Sequence, residues 1–392
     1  MTNETKGKGF VWQTRVLDPS PKAPSGFRSL APAVYRGSTV TFDRLADAHD
    51  DWRGNRYTYG LYGTPTTREL GARVAQLESA HASFVVPGGQ SAILLIYLTF
   101  CKADSHILLP DSAYGPNAEL ADGLLAGLGI EVESYDPLIG AGIAALIRPT
   151  TRLIWCESPG SITMEIQDVP AIVTAAHDAG VPVALDNTYA AGVFFDAFAH
   201  GVDVSMQAIT KYVGGHSDLL LATVSVIEDA MLERVGTAHR LLGLAVSPDD
   251  CALALRGLQT LAIRLQRLEG TAIEVARWCK EQTEIDRVLH PALEDCPGHD
   301  IWRRDFTGSS SVFSIVLGRD WSGDRVTRFV EALRIFRIGF SWGGTTALVM
   351  AYESLPRKTG AYEGWLVRLN VGLEDPADLI ADLEQAFAGA SR

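Results

Sequence analysis

An α/β fold with a mostly parallel sheet, followed by a smaller α+β domain, is what this chain predicts, and three observations predict it. Between residues 63 and 258, short apolar runs of strand type alternate with helical stretches, the pattern of a sheet covered on both faces. The 392 residues are 47% hydrophobic and 21% charged, near globular averages, so the chain buries a sizeable core and is long enough for two or three domains. Residues 1–62 stand apart, being rich in Pro, Gly, Arg and aromatics with little periodicity, and read as an extended arm. The predicted organisation is an arm over 1–62, an α/β domain over 63–258 and a C-terminal α+β domain over 259–392.

The elements follow in order. Arg152-Leu-Ile-Trp-Cys predicts a strand, Val169 to Ala179 a helix opened by Pro170, and Val181 to Asp186 the next strand, which together make a βαβ unit. Asp203-Val-Ser-Met-Gln-Ala continues the series, and Leu219 to Ile227 is another apolar run of strand length. A long helix is expected from Leu258 to Lys280, then strands over Val312–Leu317, Ile335–Phe340 and Trp365–Val371, with helices near Arg325 and Ala377.

Charge and motifs exclude several functions. With 34 basic against 47 acidic side chains and a net charge of −13, the surface does not suit nucleic acid or an anionic membrane, so a small-molecule partner is expected. The polar start carries no signal-peptide pattern, and the longest apolar run, Ala92 to Phe100, is far short of the roughly 20 residues a membrane span needs. Five scattered cysteines without a C-x-x-C pair read as reduced core thiols, so a cytoplasmic location is expected. The nine histidines form no zinc-type spacing, and no catalytic metal is expected.

Two motifs fail on context. Gly140-Ala-Gly-Ile-Ala-Ala fits a dinucleotide fingerprint, but Pro137 spoils the strand that should feed it. Gly339-Phe-Ser-Trp-Gly fits a nucleophile elbow, yet no histidine lies beyond His299 to complete a hydrolase triad. Pro87-Gly-Gly-Gln is more useful, since glycines just before an apolar helix expose backbone N–H groups to a phosphate.

The informative pair is Asp186 at the end of one strand and Lys211 just after the following one. Open α/β sheets bind ligands at the carboxyl ends of their strands, and an Asp with a Lys there is what pyridoxal phosphate needs. The lysine forms a Schiff base, and the carboxylate keeps the pyridine nitrogen protonated. Six further stretches then bring a family into view: Glu157-Ser-Pro-Gly-Ser-Ile-Thr-Met-Glu, Asp186-Asn-Thr-Tyr-Ala-Ala-Gly, Thr210-Lys-Tyr-Val-Gly-Gly-His-Ser-Asp, Phe306-Thr-Gly-Ser-Ser, Ser341-Trp-Gly-Gly and Arg368-Leu-Asn-Val-Gly-Leu-Glu-Asp. In that order they resemble the bacterial cystathionine β-lyases of the Cys/Met-metabolism PLP-dependent enzymes, from about residue 30 to the C-terminus.

The resemblance implies fold type I, with a mostly parallel seven-stranded sheet, and pyridoxal 5'-phosphate as cofactor. It implies Lys211 as Schiff-base lysine and proton carrier, Asp186 as pyridinium partner and Tyr114 as the aromatic stacked on the ring. Gly89 and Gln90 would offer backbone N–H groups to the phosphate and Thr210 a hydroxyl, while Ser161 would sit near the ring hydroxyl. Tyr59 would reach the phosphate of a neighbouring subunit, which implies a homo-oligomer, and the family pairs dimers into tetramers. Arg368 would grip the substrate α-carboxylate, with Ser341 and Trp342 lining the same pocket.

The expected activity is carbon–sulfur β-lysis of L-cystathionine or a related S-substituted L-cysteine to a thiol, pyruvate and ammonia. Alternatives are a γ-lyase or γ-replacement synthase of the same family, or a low-turnover regulatory or binding protein on the same fold. The Glu157-Ser-Pro-Gly-Ser motif, and Ala208 where synthases carry a serine, favour the β-lyase. Departures from the family pattern are Leu61, in place of an arm arginine, and Thr345 with Thr346, in place of Tyr-Glu near the substrate.

Overall fold

The computed structural model describes residues 11–17, 29–48, 57–355, 357 and 364–390, so the expected arm is described in part. Seven strands form a mixed sheet: β1 (Ala82–Val86), β2 (His106–Pro110), β3 (Glu131–Tyr135), β4 (Thr151–Glu157), β5 (Val183–Asp186), β6 (Val204–Gln207) and β7 (Ala222–Val226). Five more form a second sheet: β8 (Ile285–Leu289), β9 (Val312–Leu317), β10 (Arg337–Ile338), β11 (Leu348–Tyr352) and β12 (Leu366–Asn370). By compactness the chain divides into one unit of residues 1–99 with 203–262, and another of 100–202 with 263–392. Among the described residues no helix is long and apolar enough to cross a membrane.

In the first unit β7 runs antiparallel to both β1 and β6, with Val85 opposite Thr223 and Gln207 opposite the same residue. The helix Pro65–Leu77 begins where Thr64 accepts the N–H of Thr67 and Pro65 fills the first turn, where a missing N–H costs nothing. Thr66 fastens the arm there: its hydroxyl accepts the N–H of Tyr35 at 2.8 Å and donates to the Ala33 carbonyl at 2.9 Å. Within the described part of the arm, an isolated antiparallel bridge pairs Thr39 with Tyr59.

In the second unit β5, β4, β2 and β3 follow one another across the sheet, all parallel. The expected βαβ unit is present, with the helix Val169–Asp178 joining β4 to β5 and Asp168 capping it through the N–H of Ala171. Ile154, Cys156, Val183 and Leu185 from the strands share a buried core with Val169, Ile172, Val173 and Ala176 from that helix. Full burial on such a scale, at about 25 cal/mol per Å² of apolar surface, is what makes the β4 and β5 strand ends rigid platforms. The smaller sheet is covered by helices whose Phe329 and Phe387 rings stack at 4.3 Å.

Two expected elements differ. The long helix begins at Leu261 rather than Leu258, because an earlier helix, Pro248–Leu258, ends there. The Thr260 N–H and hydroxyl both turn back to the Gly257 carbonyl, a local bond that competes with helix continuation. The strand expected over Ile335–Phe340 shrinks to Arg337–Ile338. Its first amides are diverted, since the buried Asp382 carboxylate takes the N–H groups of Arg334, Ile335 and Phe336.

Candidate active site

The strand-end carboxylate Asp186 is the last residue of β5, and its register partner on β4 is Glu157, the last residue of that strand. Asp186 Oδ1 accepts both the N–H and the hydroxyl of Thr188, which fixes the turn leaving the sheet. Glu157 is buried and was missed as a site residue in the sequence, although it opens the Ser-Pro-Gly-Ser motif. Its Oε2 accepts the backbone N–H of Tyr114 at 2.8 Å. Burial first, then the negative charge of Asp186, push the Glu157 carboxyl well above the usual carboxylate range.

Around this pair the loops are stitched together. The Glu157 N–H donates to Gln167 Oε1 at 2.7 Å, Gln167 donates to Tyr135 Oη at 2.9 Å, and that hydroxyl donates to the Trp155 carbonyl at 2.7 Å. The Ser161 N–H donates to the Ser112 carbonyl at 2.8 Å, tying the Ser161 loop to the segment that carries Tyr114. Tyr114 begins the helix Gly115–Leu120, and its ring is 42% exposed. Its phenol is raised by burial, then by Glu157 and Asp186, against an opposing pull from Arg368, so Tyr114 senses these three ionisable groups of this unit.

Arg368 lies on β12 opposite Met350 and is 8% exposed. One guanidinium nitrogen donates to the Phe340 carbonyl at 2.7 Å, next to Ser341. Burial lowers its pKa from the ordinary arginine value, yet an arginine stays charged throughout the physiological range. Trp342 packs against a buried cluster that includes Met164 and Tyr189, residues of the loops that follow Glu157 and Asp186. Asn370, two residues beyond Arg368, steadies the Ser341 loop by accepting the Gly343 N–H at 2.9 Å.

The first unit carries the remaining expected residues. Lys211 follows β6 by one turn: its N–H donates to the Ala208 carbonyl and its carbonyl accepts the Gly215 N–H at 2.7 Å. Thr210 pairs with Leu221 through both its N–H and its hydroxyl. Gly89 and Gln90 lie in the first turn of the apolar helix Gly89–Phe100, where helix N–H groups have no internal partner. A β-carbon on Gly89 would lie 3.6 Å from the Ala208 β-carbon, and one on Gly88 would meet nothing within 4 Å. That helix start is thus set beside the Lys211 loop with open space in front of it. Tyr59, 48% exposed, stands on the arm with its ring edge-on to Tyr62 at 6.3 Å. Leu61 lines a cavity of about 520 Å³ together with Arg68 and His239.

Left-handed backbone at residues other than glycine also marks these strand ends. Ile162, Met164, Ala191 and Ser217, all at φ between 52° and 69°, follow β4, β5 and β6. Strain of this kind persists where surrounding packing over-determines it, and it gathers at functional sites. Elsewhere, among the described residues, His106, Glu131 and Glu133 are the one cluster with metal-like spacing, and Arg148 donates to both glutamates.

The groups present suit pyridoxal 5'-phosphate. The first unit offers the Lys211 amine and a helix start at Gly89 suited to a phosphate, and the second unit by itself offers the strand-end carboxylate Asp186, the partly exposed Tyr114 and the buried Arg368.

Comparison with known proteins agrees. Residues 13–388 match the family described as Cys/Met metabolism PLP-dependent enzyme. The chain is 40% identical over 371 residues to a cystathionine beta-lyase of Bordetella avium, covering 92% of each chain. It is 36% identical over 376 residues to an L-alanine/L-glutamate racemase of Wolbachia pipientis wMel, covering 92% of this chain and 93% of the other. Its fold matches the crystal structure of cystathionine gamma-lyase from Lactobacillus plantarum complexed with L-serine, with a TM-score of 0.89, 26% identity, and 97% and 100% of the two chains covered. The chain belongs to the Cys/Met metabolism PLP-dependent enzymes, and pyridoxal 5'-phosphate is its cofactor.

Proposed function

We propose that this chain is a carbon–sulfur β-lyase that cleaves L-cystathionine, or a related S-substituted L-cysteine, to homocysteine or the corresponding thiol, pyruvate and ammonia. The observation that carries this reading is the grouping of Tyr114, Glu157, Asp186 and the buried Arg368 in one unit, in a chain 40% identical to a cystathionine beta-lyase.

When bound, the cofactor supplies an electron sink for negative charge at the substrate Cα. Lys211 would anchor it, and the Lys211 amine would carry the Cα proton. Asp186 would hold a proton on the ring nitrogen, and Tyr114 would stack on the ring face. Gly89, Gln90 and Thr210 would hold the phosphate, and Ser161 would stand near the ring hydroxyl. Arg368 grips the α-carboxylate with its planar fork, which fixes the direction of the Cα–H bond. Ser341 and Trp342 line the same pocket. As the proton passes to Lys211 Nζ, the Cβ–S bond breaks, the sulfur leaves with the electron pair, and water converts the three-carbon remainder to pyruvate and ammonia.

Tyr59 is assigned to the phosphate of a second copy, so the active form is a homo-oligomer, with a tetramer as the expected size. Light scattering of the purified protein tests this, and a monomer that keeps full cofactor affinity contradicts it. A reducing, cytoplasmic location suits the five buried thiols.

Incubation with L-cystathionine and analysis of products tests the activity. Pyruvate with homocysteine supports β-lysis, whereas 2-oxobutyrate assigns γ-lysis. Enantiomer exchange of L-alanine without keto-acid release assigns a racemase, and the absence of every product assigns a binding role.

A further inference from the structure

We propose that Glu157 is a positioning residue for the cofactor, acting through Tyr114 and Asp186 rather than on substrate. The inference rests on the assignment of Asp186 and Tyr114 to the cofactor ring, and adds a third side chain that neither motif logic nor the ring chemistry demands.

Geometry carries it. Glu157 and Asp186 end adjacent parallel strands in register, so their side chains leave the sheet on the same face, about 5 Å apart. The Glu157 backbone is pinned by Gln167, itself held by Tyr135, so the carboxyl starts from a fixed point. Its Oε2 accepts the N–H of Tyr114, the residue that enters the helix Gly115–Leu120. That bond is the means by which a buried strand end sets the backbone from which the Tyr114 ring projects.

The electrostatics agree with this role. A second full negative charge beside Asp186 would be buried and repelled, and burial together with Asp186 favours the neutral acid at Glu157. A neutral Glu157 leaves Asp186, the residue assigned to the ring nitrogen, without a charged neighbour at the end of β4. Glu157 contributes an acceptor for Tyr114 without competing for that role.

The test compares Glu157→Gln and Glu157→Ala with the wild type in pyridoxal 5'-phosphate titrations, read by the dissociation constant and by visible circular dichroism of the bound cofactor. Gln keeps a neutral acceptor of the same length, so its affinity and dichroism are expected to stay within about 3-fold of wild type. Ala leaves the Tyr114 N–H without its acceptor, so affinity is expected to fall about 10-fold, with a weakened visible band. Should Glu157→Ala not fold, Glu157→Asp withdraws the acceptor by one methylene and carries the same expectation. A folded Ala or Asp variant with wild-type affinity and dichroism overturns the proposal. So does a Gln variant as impaired as Ala, because the charge would then matter and not the acceptor. A wild-type protein that fails to take up the cofactor overturns the assignment of Asp186 and Tyr114 instead.

Discussion

Glu157 and Asp186 stand side by side as the last residues of β4 and β5, two carboxyl groups in register where parallel strands end. The two differ in their surroundings, Glu157 being buried and Asp186 half-buried. Glu157 is pushed up by burial and by its neighbour, while Asp186 is braced by the N–H and hydroxyl of Thr188.

Stability should therefore depend on pH through Glu157. Its folded pKa lies above the ordinary 4.5, so its contribution is complete below that value and is lost as pH rises toward the folded pKa. Replacement by Gln removes this dependence. Denaturant unfolding should show Glu157→Gln gaining on the wild type by at most about 1.4 kcal/mol for each pH unit above that point. A difference that is flat between pH 5 and 8 would contradict the raised pKa.

Asp186→Asn should keep the turn, because an amide oxygen still accepts from Thr188, but it removes the charge assigned to the ring nitrogen. Loss of a placed charge of this kind costs roughly 100-fold or more in kcat. Unaltered steady-state kinetics in a folded Asn variant would show that no such charge is used.

Arg368→Lys keeps a positive charge but not the planar fork or the bond to the Phe340 carbonyl. The expected result is a fall of roughly 100-fold in kcat/KM, mostly in KM. An unchanged KM for L-cystathionine would move carboxylate recognition to another residue.

Gly298 adopts φ +84°, and a β-carbon there would come within 2.5 Å of the Ile166 carbonyl oxygen. Gly298→Ala should destabilise the second unit by about 2 kcal/mol or more, measured by urea unfolding. Equal midpoints would mean that the loop relaxes freely.

Much of the sheet architecture was legible because apolar runs such as Val183–Leu185 and Leu153–Cys156 are buried on both faces, so their strand character needs no tertiary information. The places of Asp186, at the end of β5, and of Lys211, just after β6, were legible for a related reason, since both follow from where the apolar runs stop. The β10 edge was not, because a single distant carboxylate, Asp382, takes the amides that would have extended it. Glu157 escaped notice because its significance lies in pairing with residues 29 and 43 positions away. The break at Thr260 turns on one hydroxyl choosing a local carbonyl, a preference too small for periodicity to reveal.

The most direct measurement is to reduce the cofactor-loaded protein with borohydride, digest it, and locate the modified residue by mass spectrometry, with Lys211→Ala as control. The account predicts the pyridoxyl adduct on the peptide containing Lys211, with no adduct and no turnover in the Ala variant. An adduct on another lysine, or an Ala variant that retains a covalent cofactor and activity, would contradict it.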